Sequence, residues 1–196
     1  MSITRLLTAT TLAALAVSSV WAQQTMRVRG TIERVDGPTL VVKTRDGEVK
    51  INLTENAGIF GVAKASLAEI KPGAFIGVGA MPQPDGSQRA IQVTIFSEVQ
   101  RGTGEGHRPW DRQPNSTMTN ATVDTTVAGI DGQVLTVKYK DGEKKIIDAS
   151  LLRYEVGNRS ELKPGANIAI IRAVKKPDGT LETDRVNVGR DGVVPQ

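Results

Sequence analysis

Residues 101–120, RGTGEGHRPWDRQPNSTMTN, gather most of this chain's scarce chemical groups. The stretch holds the only histidine, His107, together with Arg108, Trp110 and Asp111. His107 with Asp111 is the pair a general base and its orienting carboxylate would need. That base, however, sits among Gly102, Gly104, Gly106 and Pro109, and a catalytic base needs packed neighbours to hold it. The chain has no G-x-S-x-G and no cysteine, so serine-hydrolase and thiol nucleophiles have no such motif here. Nothing singles out a carboxylate pair for glycoside hydrolysis. The expectation is a protein that is not an enzyme, with no catalytic residues.

Metal chemistry has a thin ligand set. His107, Asp111, Met118 and Met26 are the available donors, and methionine can serve copper where cysteine is missing. One histidine and scattered methionines fall short of an ordinary site, so no metal and no cofactor are expected. Seven Asp-Gly pairs recur, at 36–37, 46–47, 85–86, 131–132, 141–142, 178–179 and 191–192. A calcium loop would need a D-x-D-x-D-G spacing, which is absent. The pairs read instead as turns between strands, because Asp-Gly tolerates positive φ.

Two readings of Trp110 follow. As a structural group it docks between two domains and fixes their angle, since large aromatics dominate such burial. As a functional group it stacks on a ligand, with His107, Arg108 and Asp111 beside it. The glycines before it read as a flexible lead, and Arg108 is pushed towards an extended backbone by Pro109.

The elements that must carry these residues come from an internal repeat. VDGPTLVVKTRDGE (35–48) aligns without a gap with IDGQVLTVKYKDGE (130–143). AEIKPGA (68–74) matches SELKPGA (160–166), and PDGSQRAIQV (84–93) matches PDGTLETDRV (177–186). Three blocks in one order argue duplication, with copies at 26–99 and 122–190 and a connector at 100–121 carrying the docked Trp110.

Each copy reads as five strands. In the first, Val28, Gly30 and Ile32 alternate with polar neighbours, Leu40 and Val42 mark a second strand, and Val49, Ile51 and Leu53 alternate in a third. FGVAKASLAEI (60–70) breaks the period of two and reads as a short helix or helical turn, ended by Lys71-Pro72-Gly73. Ala74–Met81 and Ala90–Phe96 complete the set. The second copy repeats this near 123–130, 134–140, 143–148, 166–174 and 181–188, with a helical or irregular piece at 149–162. The expected fold is all-β: two tandem, small, five-stranded barrels like the oligonucleotide/oligosaccharide-binding (OB) fold, each with a helical turn between strands 3 and 4.

Such barrels bring nucleic acid to mind, and Lys138, Lys140, Lys144 and Lys145 share one hairpin with Tyr139. Single-strand binders need a basic groove lined with exposed aromatics. Here the net charge of +4 is spread evenly. Residues 26–99 carry nine basic and eight acidic groups, residues 100–121 three and two, and residues 122–196 twelve and eleven. Nucleic acid is therefore disfavoured as a partner. The lysines read as a solvated face that discourages edge pairing.

The repeated pattern G-x-I-x-x-V-D-G-x-x-L-x-V-K-x-x-D-G-E, followed by L-K-P-G-A and a late P-D-G, resembles a family of exported bacterial domains of unknown function. The central RGTGEGHRPWD…STMTNATV is similar to tandem members of that family whose names mention a metal ABC transporter permease. The resemblance covers most of the chain and rests on turn and strand residues, so it implies a fold and assigns no residue a role.

The N-terminus, MSITRLLTATTLAALAVSSVWAQQ, has the layout of a secretory signal: Arg5, then an apolar run from Leu6 to about Val20, then Val20-Trp21-Ala22. Residues 1–22 are expected to be removed by a cut after Ala22. No later segment approaches a membrane-spanning length. Without cysteine, an exported chain must rely on its core alone. The reading is a periplasmic or secreted, non-catalytic binding or accessory module of the bacterial envelope, whose partner is an envelope protein, a small ligand or a glycan. Its rivals are a periplasmic metal-handling protein and an enzyme of unrecognised type.

Overall fold

A computed structural model describes residues 24–84, 88–128, 134–139, 142–147 and 149–195. The expected leader, residues 1–22, lies outside these, as do Asp85-Gly86, Asp131-Gly132, Lys140 and Asp141. The described residues are all-β. Their strands are β1 (Thr25–Asp36), β2 (Thr39–Thr44), β3 (Gly47–Lys64), β4 (Phe75–Pro82), β5 (Gln88–Ile95), β6 (Gly106–Pro109), β7 (Thr117–Thr122), β8 (Thr125–Ala128), β9 (Val134–Tyr139), β10 (Gly142–Ile147), β11 (Ser150–Val156), β12 (Asn167–Lys175) and β13 (Leu181–Gly189). Helical structure among them is confined to single 3-10 turns at Leu67–Glu69, Glu98–Gln100 and Arg159–Glu161.

Five strands close into a barrel in the order β1-β2-β3-β13-β12 and back to β1. All its pairs are antiparallel except β3–β13, which is parallel. Alternating residues point inward, as the pleat requires. Ile32, Leu40, Val42, Ile51, Ile168, Ile170, Val186 and Val188 fill the interior, each buried to 2 % exposure or less. Full closure removes the edges that would otherwise invite pairing with other chains.

The strands of this barrel come from both sequence copies. Three belong to the first and two to the second. The loan is returned: β5 of the first copy pairs with β10 and β11 of the second, while β4 pairs with β7, which runs from the connector into the second copy. Matched positions make matched pairs. Ile32 N–H donates to Ala166 O at 2.9 Å, and Ile32 O accepts from Gly165 N–H at 2.8 Å; Val123 does the same with Ala74 O at 2.9 Å and Gly73 N–H at 2.8 Å. In the parallel pairs, Val186 faces Ile59 and Val93 faces Leu151. Val93 and Val186 are equivalent in the P-D-G block, and Ile59 and Leu151 lie equally far upstream of their Lys-Pro-Gly-Ala. Where β3 meets β11, Phe60 faces Val156, Val62 faces Tyr154 and Lys64 faces Leu152. Exchanging the copies returns the same register, centred on Val62 and Tyr154.

The expected helical piece at 60–70 is mostly strand. β3 continues to Lys64, and only Leu67–Glu69 turn. The cause is burial on both faces: Ile59, Phe60, Val62 and Ala63 are all buried. A strand covered on both sides loses its alternation and reads as a continuous apolar run. Each 3-10 turn that follows carries a capping box, Ser66 with Glu69 and Asn158 with Glu161. The two carboxylates accept from the N–H groups of Ser66 and Asn158 at 2.8 and 3.2 Å.

Candidate functional site

The connector is an ordered hairpin. β6 and β7 pair antiparallel, with His107 opposite Thr119 and Pro109 opposite Thr117, and β7 lies along β4. Of the three glycines read as a flexible lead, Gly102 and Gly104 lie in the turn before β6 and Gly106 opens the strand, with φ of 81°, 54° and 110°. Only glycine occupies such backbone cheaply. Asn120 Nδ2 donates to Thr103 O at 2.8 Å and Arg108 to Gly104 O, tying the turn to the hairpin.

Ser116 builds the tip. Its hydroxyl donates to Gln113 O at 2.6 Å and lies 3.2 Å from Trp110 O, and Trp110 N–H donates to Ser116 O at 2.8 Å. Trp110 is thereby held at the mouth of the hairpin, partly buried. Its ring lies on Gly79 of β4, where any Cβ would run into it. The indole lines a cleft of about 320 Å³ together with Lys64, Gln92, Arg112, Ser150 and Leu152, among others. The cleft draws on β3, β5, β11, the hairpin and the chain after β13, where Val193 folds back and is buried. Trp110 therefore sits where both copies meet, with part of its face open.

The other expected residues point elsewhere. His107 is exposed, with Nδ1 2.8 Å from Thr119 Oγ1. Asp111 turns to β1, 2.6 Å from Arg27 and 3.4 Å from Arg29. Burial alone would raise the Asp111 carboxyl, but the hydrogen bonds and charges of Arg27 and Arg29 outweigh it and hold the group below its ordinary value. Arg108 is partly buried; desolvation, then the charge of Arg27, lowers its pKa. His107 and Asp111 thus serve different partners, Thr119 and the β1 arginines. Met26 is 44 % exposed on β1, while Met118 packs against Gly77. Among the described residues no group of three His, Cys, Asp or Glu side chains converges on a point. The side chains of Lys138, Tyr139, Lys144 and Lys145 lie outside the described residues.

Other carboxylates are also committed to arginines. Arg190, at the end of β13, donates to both oxygens of Glu161 at 2.9 Å and to Glu155. Arg153 joins Glu155 at 2.7 Å and Glu69 at 3.6 Å. Hydrogen bonding to Arg190 holds Glu161 below the usual carboxylate range, and bonding to Arg153 does so for Glu155. Burial pushes the Tyr154 phenol up to about 12, against the charges of Arg185 and Arg29.

Arg27, Arg29, Lys64 and Val193 were not legible as site residues. Arg27 and Arg29 look like ordinary outward positions of an alternating strand, and nothing local ties them to Asp111, some eighty positions on. The apolar pair Val193-Val194 after the last strand was the one available hint that the tail folds back.

No family model, curated protein or solved structure matches this chain.

Proposed function

We propose that this chain is a non-catalytic, exported binding module of the bacterial envelope, and that the Trp110 cleft is where it takes its ligand. The observation that carries the reading is the partly exposed indole at a cleft lined by the polar Gln92, Gln113 and Ser150 and the apolar Ile91 and Leu152. A flat aromatic face beside amide and hydroxyl groups suits a sugar ring, which offers C–H faces to stack and hydroxyls to bond. The strand order of the closed barrel supports an OB-like reading, in which the duplicated copies complete each other's barrels by lending their fourth and fifth strands. The expected leader and the resemblance to exported tandem domains support a location in the periplasm or outside the cell.

The test is a titration of the full chain, carrying Trp21→Phe so that Trp110 is the sole emitter, with soluble fragments of bacterial cell-wall glycan. The expected result is a saturable change in emission, and an affinity about tenfold weaker by calorimetry for Trp110→Ala. Binding that is absent, or that survives Trp110→Ala unchanged, overturns the reading.

A further inference from the structure

On the face of the hairpin that meets β1, two guanidinium groups, those of Arg27 and Arg29, share the Asp111 carboxylate, and a third, Arg108, lies near Arg27. Arg27 and Arg29 are two apart on a strand and so project to the same side. Arg27 bonds Asp111 at 2.6 Å, a charge-assisted distance. Arg29 reaches the same carboxylate only at 3.4 Å through each of three contacts. Its Nε is enclosed and has no hydrogen-bond acceptor. Arg108 donates to Gly104 O and is close enough to Arg27 for the two charges to oppose each other. Three positive charges therefore face one negative one, and at least one buried donor is left over.

The fold does not require this cluster. Arg29 pairs with Ala169 of β12 as Asn120 pairs with Gly77 of β4, since Ile32 and Val123 occupy matched places in the two sets. The second set makes the same ladder with an amide. One arginine would suffice to hold Asp111. The second and third add repulsion unless another anion enters.

We propose that Arg27, Arg29 and Arg108 form a binding site for a tetrahedral oxyanion with two negative charges, a phosphate or sulfate group, with Asp111 as the built-in competitor at its edge. Two charges on the ligand balance the two left uncompensated. Several oxygens arranged around one centre can meet guanidinium forks from different directions, which a single carboxylate cannot do. The side chains of Arg27, Arg29 and Asp111 are 38 %, 35 % and 43 % exposed, so a ligand reaches them from solvent. The group arrives either as a free anion or on a larger carrier such as a lipid headgroup. This site is separate from the Trp110 cleft and stands without it.

The experiment uses the full chain and inorganic phosphate, followed by 31P line broadening and by thermal unfolding against chloride at equal ionic strength. Wild type is expected to broaden the phosphate line saturably and to gain Tm. Arg29→Gln and Arg108→Gln should each abolish both effects, while Arg34→Gln, an exposed arginine elsewhere on β1, should leave them intact. Asp111→Asn should tighten phosphate binding about tenfold by removing the competing charge. Vesicles of phosphatidylcholine with and without phosphatidic acid separate the carriers: binding only with phosphatidic acid, lost in Arg29→Gln, assigns a headgroup, and binding of inorganic phosphate alone assigns a free anion. Equal Tm gains in wild type and Arg29→Gln, or no saturable broadening, overturn the proposal. If Asp111→Asn fails to fold, the Arg29→Gln and Arg108→Gln comparison decides alone.

Discussion

On one side of the molecule, β1, β2, β3, β13 and β12 close completely over a dense apolar interior. On the other, β4, β5, β7 and β11 repeat the register of their counterparts but surround a smaller set of described buried residues, with Ile76, Val78, Ala80, Ala90 and Val93 at its centre. Where the closed side has Ala169 and Ile171 on β12, the other has Gly77 and Gly79 on β4. Those two glycines leave room for the β6–β7 hairpin and for the Trp110 ring. One set of pairings thus supports two surfaces. The first is built to be sealed, and the second is kept low so that a hairpin can lie across it. The candidate sites lie where the hairpin bridges both.

The sharpest way to break this comparison is to stop the chain after Lys176, removing β13. If each copy closed its own barrel, the first would survive. With lent strands the truncation opens the closed barrel and takes away the partner of β3. The expected outcome is loss of cooperative unfolding by circular dichroism for the whole chain, and a residual folded first copy would contradict it. A smaller effect follows from Leu40→Ala, a fully buried side chain of the closed barrel, which should cost about 2–5 kcal/mol in denaturant unfolding. Ile91→Ala, only partly buried beside the cleft, should cost clearly less. Equal costs would remove the contrast between the two sides.

The smallest effect concerns acid. Asp111, Glu155 and Glu161 have pKa values lowered in the folded state. Their contribution is present above the unfolded carboxylate values, roughly pH 4, and is lost as pH falls through the lower folded values. Tm should therefore drop as pH falls below about 4. Glu161→Gln should lower Tm at pH 7 by more than at pH 3, because at pH 3 the unfolded chain has taken up the proton and part of the contribution of the group is already lost in wild type. A Tm difference independent of pH would show that the Arg190 pairs contribute nothing to this side of the molecule.

Much of the local structure was legible. The Asp-Gly pairs at 36–37, 46–47 and 178–179 do turn the chain, with positive φ at Gly37, Gly47 and Gly179. The outlines of β1, β2, β4, β5, β12 and β13 followed from alternation. The exchange of strands was not legible, because it has no local signal: the fourth and fifth strands of both copies share one pattern and would fit either third strand. What distinguishes the partners is the length of β3 and the path of the hairpin, and both were hidden. Two-sided burial masked the first. In the second, glycines needed for positive φ looked like glycines of a loose linker. Trp110 and Asp111 stood out by type, yet their partners, Gly79 and the β1 arginines, are unremarkable in sequence.

The lent strands also set a timetable. β1 is the first strand made and pairs with β12, Thr25 opposite Val174; β3 takes β13, nearly the last segment of the chain. A ribosome releases the amino end first, so β1, β2 and β3 must wait, edges bare, for β12 and β13, which are made much later. Distant pairings of this kind slow folding, because the loop between partners is ordered before any contact compensates for it. During that interval the bare edges of β1 and β3 are what a neighbouring chain, or a chaperone, would meet.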